Sequence, residues 1–212
     1  MFGNSLKGNE EITFSLQALL DRGWITYHLD GNHGGEYPRS EEFVDSGVPY
    51  ISANCIQQGH VSFANAKYVT PERALRFRKG IAKNRDVLFA HNATVGPVAL
   101  LETFAPVVIL GTSLTAYRCN ETYVLPEYLK AYMETSTFVS QYESEMQQTT
   151  RKQVPITAQR KFSFVIPDIN RQRTFSTFIA QLDKSKVALR EAITKQEDII
   201  RVLLSEKLGD MR

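Results

Sequence analysis

The sequence predicts a mixed α/β globular domain of the α+β kind over residues 1–168, followed by a long C-terminal coiled-coil helix over residues 169–212. Three observations predict it. Between residues 171 and 208, Ile179, Lys186, Ile193, Ile200 and Lys207 fall on one heptad line, and Leu182, Leu189, Gln196 and Leu203 fall on a second. That spacing keeps a seam turned toward a partner helix. Upstream, short apolar runs bounded by Gly, Pro, Asn and Asp alternate with helical patterns, as in a domain of small strands and helices. Finally, 42% hydrophobic and 10% aromatic residues in 212 exclude a largely disordered chain.

The elements follow in order. Phe14 to Leu20 reads as a short helix stopped by Gly23, and a strand starts at Trp24-Ile25-Thr26-Tyr27. Asp30-Gly31-Asn32-His33-Gly34-Gly35 is a loop, closed by Glu36-Tyr37-Pro38-Arg39. It lacks the Lys-Ser/Thr of a phosphate loop and the spacing of a dinucleotide fingerprint. Val48 to Asn54 is a buried strand running into polar residues, and Gly59 with Tyr68-Val69 suggests a hairpin or return strand. Thr70-Pro71-Glu72 is a helix start, with Thr70 capping and Pro71 at the first helical position. This helix is expected to end near Gly80, to turn Leu75 inward and to carry Arg76 and Lys79 on one face.

Asp86 to Ala90 reads as a buried strand broken by a loop at His91 to Pro97. Val98 to Phe104, Val107 to Leu110 and Ser113 to Tyr117 continue as strands. Gly111-Thr112-Ser113-Leu114-Thr115 falls short of the hydrolase elbow, because Thr115 stands where its second glycine belongs. Pro126 to Met146 is one helix with Leu129 and Met133 inward, and Gln147 to Gln153 is a polar, basic loop. Thr157 caps one turn, Phe162 to Ile166 is a strand, and Asn170 caps the terminal helix. About 38 residues at ~1.5 Å each make that helix a rod of roughly 57 Å. An amphipathic helix packed on its own domain is the competing reading, because Val187, Ile199 and Leu204 widen the stripe.

The net charge of +2 is uninformative, but its distribution is not. Residues 66–86 and 151–173 each carry +5 in an otherwise acidic chain, which suits a phosphate backbone if the fold unites them. Cys55 and Cys119 lack metal-ligand spacing, so neither a zinc site nor a disulfide framework is expected. The N-terminus shows no signal-peptide core and no apolar run approaches 18 residues, so a cytoplasmic protein without membrane contact is expected.

The order of motifs carries a resemblance. Trp24 to Asp30 and the loop to Pro38 come first, then Gly47-Val48-Pro49-Tyr50-Ile51, then Asp86 to Ala90 with Thr94-Val95-Gly96. Leu125-Pro126-Glu127-Tyr128-Leu129 follows, and Val165-Ile166-Pro167 leads through Gln172 into the heptad helix. Over roughly residues 20–208 this resembles the specificity subunit of type I restriction-modification systems. The resemblance implies a DNA target recognition domain and a spacer helix, contacting one half of a split double-stranded DNA sequence. Members usually carry two such units; this chain has one of each, and so looks like a half-length subunit. It implies a homodimer through Ile179, Leu182, Leu189, Ile193, Ile200 and Leu203. It further implies a non-catalytic chain with no cofactor and no metal of its own. A methyltransferase (modification) subunit then methylates adenine with S-adenosylmethionine, and a restriction subunit acts as motor and nuclease with ATP and Mg²⁺. Consistent with that, there is no GKS/T loop, HExxH or NPPY/DPPY tetrapeptide.

Base-reading residues vary with the target, so the DNA-binding candidates rest on chemistry. Arg76, Lys79, Lys83 and Arg85 are expected to hold the phosphate backbone, and Asn54, His91, Asn92, Thr150, Arg151 and Lys152 to reach base edges or phosphates from loops. Two alternatives stay open: a coiled-coil scaffold that binds protein, and a detached specificity domain of a single-chain restriction-methylation enzyme.

Overall fold

The computed structural model describes residues 13–32, 37–147 and 152–209, with side chains as far as Arg201. It divides the chain into two compact units, Met1–Gln172 and Arg173–Arg212.

In the first unit, β2 (Ile25–Asp30), β5 (Ile56–Gln57), β6 (His60–Val61), β9 (Val87–Asn92), β10 (Thr94–Leu100) and β12 (Leu114–Cys119) form a six-stranded sheet ordered β2-β12-β9-β10-β6-β5. A five-stranded sheet, β3-β7-β4-β11-β8, takes β3 (Phe43–Val44), β4 (Val48–Ile51), β7 (Lys67–Val69), β8 (Ile81–Ala82) and β11 (Val108–Leu110). A third, small sheet pairs β1 (Thr13–Ser15) with β13 (Ser163–Val165). The helices are α1 (Leu16–Asp21), α2 (Pro71–Ala74), α3 (Pro126–Met133), α4 (Ser136–Gln147), α5 (Ile156–Gln159) and α6 (Ile169–Gly209).

The two-residue alternation of β9 explains the layering. Leu88 and Ala90 join Leu114 and Ala116 on one face and pack with Ile51, Ala82, Val108 and Leu110 of the five-stranded sheet. Phe89 points the other way and meets Phe138 and Tyr142 of α4, while Tyr117 meets Phe164. Phe138 is fully buried and also touches the rings of Tyr132, Phe162 and Phe164. A strand buried on both faces reads as a continuous apolar run, which is how Asp86 to Ala90 reads in sequence.

Several expectations are corrected. The helix begun at Thr70, whose Oγ1 accepts from the amide of Arg73 at 3.2 Å, lasts only through Ala74. Leu75 is 85% exposed, and Phe77 is the residue that turns inward, packed against Tyr50. Residues 126–146 form two helices, because the hydroxyl of Thr135 starts a new turn at Phe138. The first strand pair takes Phe14 and Ser15, so α1 begins at Leu16 with Ser15 as its cap. Thr157 lies inside α5, whose cap position is Pro155. Asp168 rather than Asn170 caps α6, its Oδ1 accepting from the amides of Asn170 and Arg171 at 3.1 and 3.2 Å.

The second unit is the continuation of α6. Leu182, Leu189, Ile193 and Ile200 are 40–62% exposed, as are Phe178, Val187 and Ile199 at intermediate values, and Ile179 is half-buried. Leu203 lies outside the residues whose side chains are described.

Candidate nucleic-acid interface

Strand direction decides which candidate residues meet. β12 runs antiparallel to β9, with Tyr117 opposite Val87 and Leu114 opposite Ala90. Asp86 and Arg118 therefore lie toward one end of the sheet, and Asn92 and Ser113 toward the other.

Ser113 organises that second end. Its carbonyl accepts from the amide of His91 at 2.9 Å, and its hydroxyl accepts from the amide of Ala53 at 2.8 Å, which holds the turn bearing Asn54 against β9. Just beyond, Asn92 bridges Gln153, the amide of Ala93 donates to the Lys152 carbonyl at 3.2 Å, and Val154 donates back to His91 at 2.8 Å. Asn54, His91, Asn92 and Lys152 thus come together on one rim. His91 and Asn92 differ from the sequence expectation, since they are strand residues; β9 continues through Asn92 and turns at Ala93, which has φ +64°. His91 is also buried, at 7% exposure, which leaves Asn92, Asn54 and Lys152 as the reachable groups. Thr150 and Arg151, like His33 to Glu36, lie outside the described residues.

Asn32 extends the same rim. Its amide nitrogen donates to the carbonyl of Lys79 at 2.8 Å, and its backbone amide donates to Leu110. Gly31 passes so close to the Gly111 backbone that a side chain at Gly31 would collide with it. Lys79 sits beside this crossing and its ammonium pairs with Asp30 at 3.1 Å. Arg76 and Arg78 are exposed in the segment leading to it.

Lys83 and Arg85 do not belong to this rim. β8 pairs with β11 and carries the chain to the opposite end, where Arg85 donates its amide to Leu101. The Arg85 guanidinium makes four hydrogen bonds of 2.7–3.2 Å to Glu121 and Glu127, which push its pKa up still further. Lys83 is exposed, and its amide donates to Asp86. The first basic block is thus divided between two ends of the domain, a division invisible to a charge count along the chain.

A buried network fixes the segment after the second basic loop. Gln159 Oε1 accepts from Tyr117 at 2.6 Å and faces His28 Nε2 at 3.2 Å, while its Nε2 donates to Thr115 and Val154. Burial pushes the pKa of His28 down to about 4, against the opposing pull of Gln159, so the ring is neutral and structural.

Beside Asn54 opens a polar recess of about 250 Å³ lined by Tyr37, Tyr50, Ser52, Asn54, Cys55, Asn65 and Lys67. Of these, only Asn54 was singled out by sequence. Lys67 lies inside the first basic block, which was the one available signal; Tyr50 reads as an ordinary strand residue, and nothing in the sequence singles out Asn65. Among the described residues no group of three or more His, Cys, Asp or Glu side chains is placed to hold a metal, and no helix is long and apolar enough to cross a membrane.

Comparison with known proteins gives this arrangement its class. Residues 28–197 match the type I restriction modification DNA specificity domain family, and because that is most of the chain, the protein belongs to it. Three solved structures share its fold. The first, from work on complex assembly and conformational transition of the type I R-M system, has a TM-score of 0.65 at 16% identity, over 90% of this chain and 43% of that one. The HsdS subunit of Thermoanaerobacter tengcongensis gives 0.59 at 16% identity, over 85% and 39%. The type I S subunit from M. genitalium gives 0.53 at 14% identity, over 82% and 39%. The chain therefore spans about two-fifths of the length of these relatives. No curated protein matches it.

Proposed function

We propose that this chain recognises one half of a bipartite duplex DNA target and directs a type I restriction-modification complex to it. The supporting observation is the gathering of Asn54, Asn92 and Lys152 on one rim of a domain from the DNA specificity family, with Lys79 beside it. Carboxamides suit base edges and ammonium groups suit phosphates, so one rim can both position and read a duplex.

In this reading the chain performs no chemistry and carries no cofactor. A methyltransferase subunit supplies adenine methylation with S-adenosylmethionine, and a motor-nuclease subunit supplies ATP- and Mg²⁺-dependent restriction. The seam of α6, half-buried at Ile179 and exposed at Leu182, Leu189, Ile193 and Ile200, pairs with the same seam of a second copy. Leu203 continues that register in sequence.

The test is binding of labelled duplexes, in the presence of a type I methyltransferase subunit, across a salt series. Affinity is expected to fall linearly in log–log form with salt, as phosphate neutralisation requires. Absence of binding to every duplex would reject the reading and favour a protein-binding scaffold.

A further inference from the structure

Lys152 is exposed on the rim, and the chain that carries it is tied down from two directions. The Ala93 amide donates to the Lys152 carbonyl at 3.2 Å, and the Val154 amide donates to the His91 carbonyl at 2.8 Å. These two bonds join the segment to the tip of the β9–β10 hairpin. A third link, to the face of the six-stranded sheet, comes from the buried side chain of Gln159.

That face is prepared by strand pairing. Tyr117 lies directly opposite His28, and Thr115, two residues back along β12, shares its side of the sheet. α5 turns the chain so that Gln159, fully buried, meets all three. Its Oε1 accepts the Tyr117 hydroxyl at 2.6 Å and faces His28 Nε2 at 3.2 Å, while its Nε2 donates to Thr115 Oγ1 at 3.1 Å and to the Val154 carbonyl at 3.0 Å. A carboxamide has two donor hydrogens and two acceptor lone pairs, and all are used here. Its orientation is therefore fixed, because exchanging O and N would set the amide oxygen against the Val154 carbonyl oxygen. Neutral His28 then carries its proton on Nε2, which leaves Nδ1 without a partner among the described residues. The fold accepts that cost to complete the carboxamide. Closing α5 does not require it, since the amides of Ala158 and Gln159 already donate to Pro155 at 3.0 Å. What the side chain adds is a fixed place for the segment behind Lys152.

We propose that Gln159 is a positioning residue for DNA binding: by fastening Val154 to β2 and β12 it holds Lys152 ready for a phosphate of the duplex before the duplex arrives. Pre-organisation of this kind removes an ordering cost from binding. The inference rests on the DNA-recognition reading above and adds a residue, out of reach of the duplex, that governs one of its contacts.

The experiment is a double-mutant cycle on the full chain assembled with a type I methyltransferase subunit, read by fluorescence anisotropy on a labelled duplex that the wild type binds. Gln159→Met and Lys152→Ala are each expected to weaken binding several-fold and to lower the salt slope by about 1. In the Lys152→Ala background Gln159→Met should add less than twofold, because both remove the same contact. Arg118→Met, which strips buried Asp86 of its charge partner at the far end, should leave affinity within twofold, separating positioning from loss of stability. Where Gln159→Met does not fold, Gln159→Glu enters the same cycle; it keeps acceptors for Tyr117 and His28 and lacks the donor for Val154. Hydrogen exchange of the wild type needs no variant: the amides of Ala93 and Val154 should be protected before DNA is added.

Unchanged affinity or salt slope in the Gln159 variant, or losses that add in the double variant, would overturn the proposal. So would an equal loss in Arg118→Met, or amides of Ala93 and Val154 protected only once duplex is bound. Wild-type binding stands in each of these cases. If the wild type binds no duplex at any salt concentration, the DNA-recognition reading falls and this inference with it.

Discussion

Burial determines the chemistry of single residues here more than residue type does. His28 is held neutral, with a pKa near 4 in the folded chain against about 6.5 unfolded. Below pH 6.5 the unfolded chain binds the extra proton, so His28's contribution is complete above that value and is lost as pH falls toward 4. Wild type is expected to lose about 2–3 kcal/mol more than His28→Gln between pH 7.5 and 4.5, read by urea denaturation at each pH. Equal losses would mean that the ring does not titrate in this window. Asp86 makes a second case. It is 1% exposed and accepts from Arg118 Nε and Nη2 at 2.8 and 2.7 Å. Arg118→Met leaves that carboxylate buried without its charge partner and should cost about 3 kcal/mol by the same measurement, far more than substitution of an exposed pair such as Lys186 with Asp183.

At the scale of elements, α6 and the α4 region differ in what their apolar faces do. Phe138 of α4 fills the layer behind the six-stranded sheet, touching five aromatic rings, and Phe138→Ala should destabilise the domain by about 3–5 kcal/mol, visible as a lower Tm. The apolar stripe of α6 is instead exposed at Leu182, Leu189, Ile193 and Ile200. Leu189→Glu combined with Ile193→Glu is expected to give monomers by light scattering with the domain's Tm preserved; an intact dimer would assign the pairing to another surface. α2 illustrates how far a local signal reaches. Thr70 and Pro71 start the helix as their chemistry requires, yet nothing local sustains it, and the burial of Phe77 against Tyr50 ends it after one turn.

For the whole molecule, the separation of the two ends of the sheets is the consequential feature. Lys152→Ala, on the rim, should weaken duplex binding several-fold at moderate salt, whereas Lys83→Ala, at the far end, should leave affinity within twofold; the comparison is read by fluorescence anisotropy. If Lys83 proves the more important, the duplex lies against the opposite end. Reading methylated adenines in a genome carrying the full system tests the homodimer, because twofold-related half-sites make an interrupted palindrome.

The sequence by itself determined most of the strands, the helix starts at Thr70-Pro71 and Pro126, the heptad period of α6 and, through the order of its motifs, the family. These are short-range properties: alternation, capping chemistry and spacing act within a few residues, so they survive in a linear reading. Only the tertiary structure decided which cations share a surface. It sent Lys83 and Arg85 away from Lys79 along β8, engaged Arg85 with Glu121 and Glu127, and drew Asn54 to Asn92 through the backbone and hydroxyl of Ser113. Those outcomes depend on strand order and on partners 36 to 60 residues away, and no local pattern encodes that pairing.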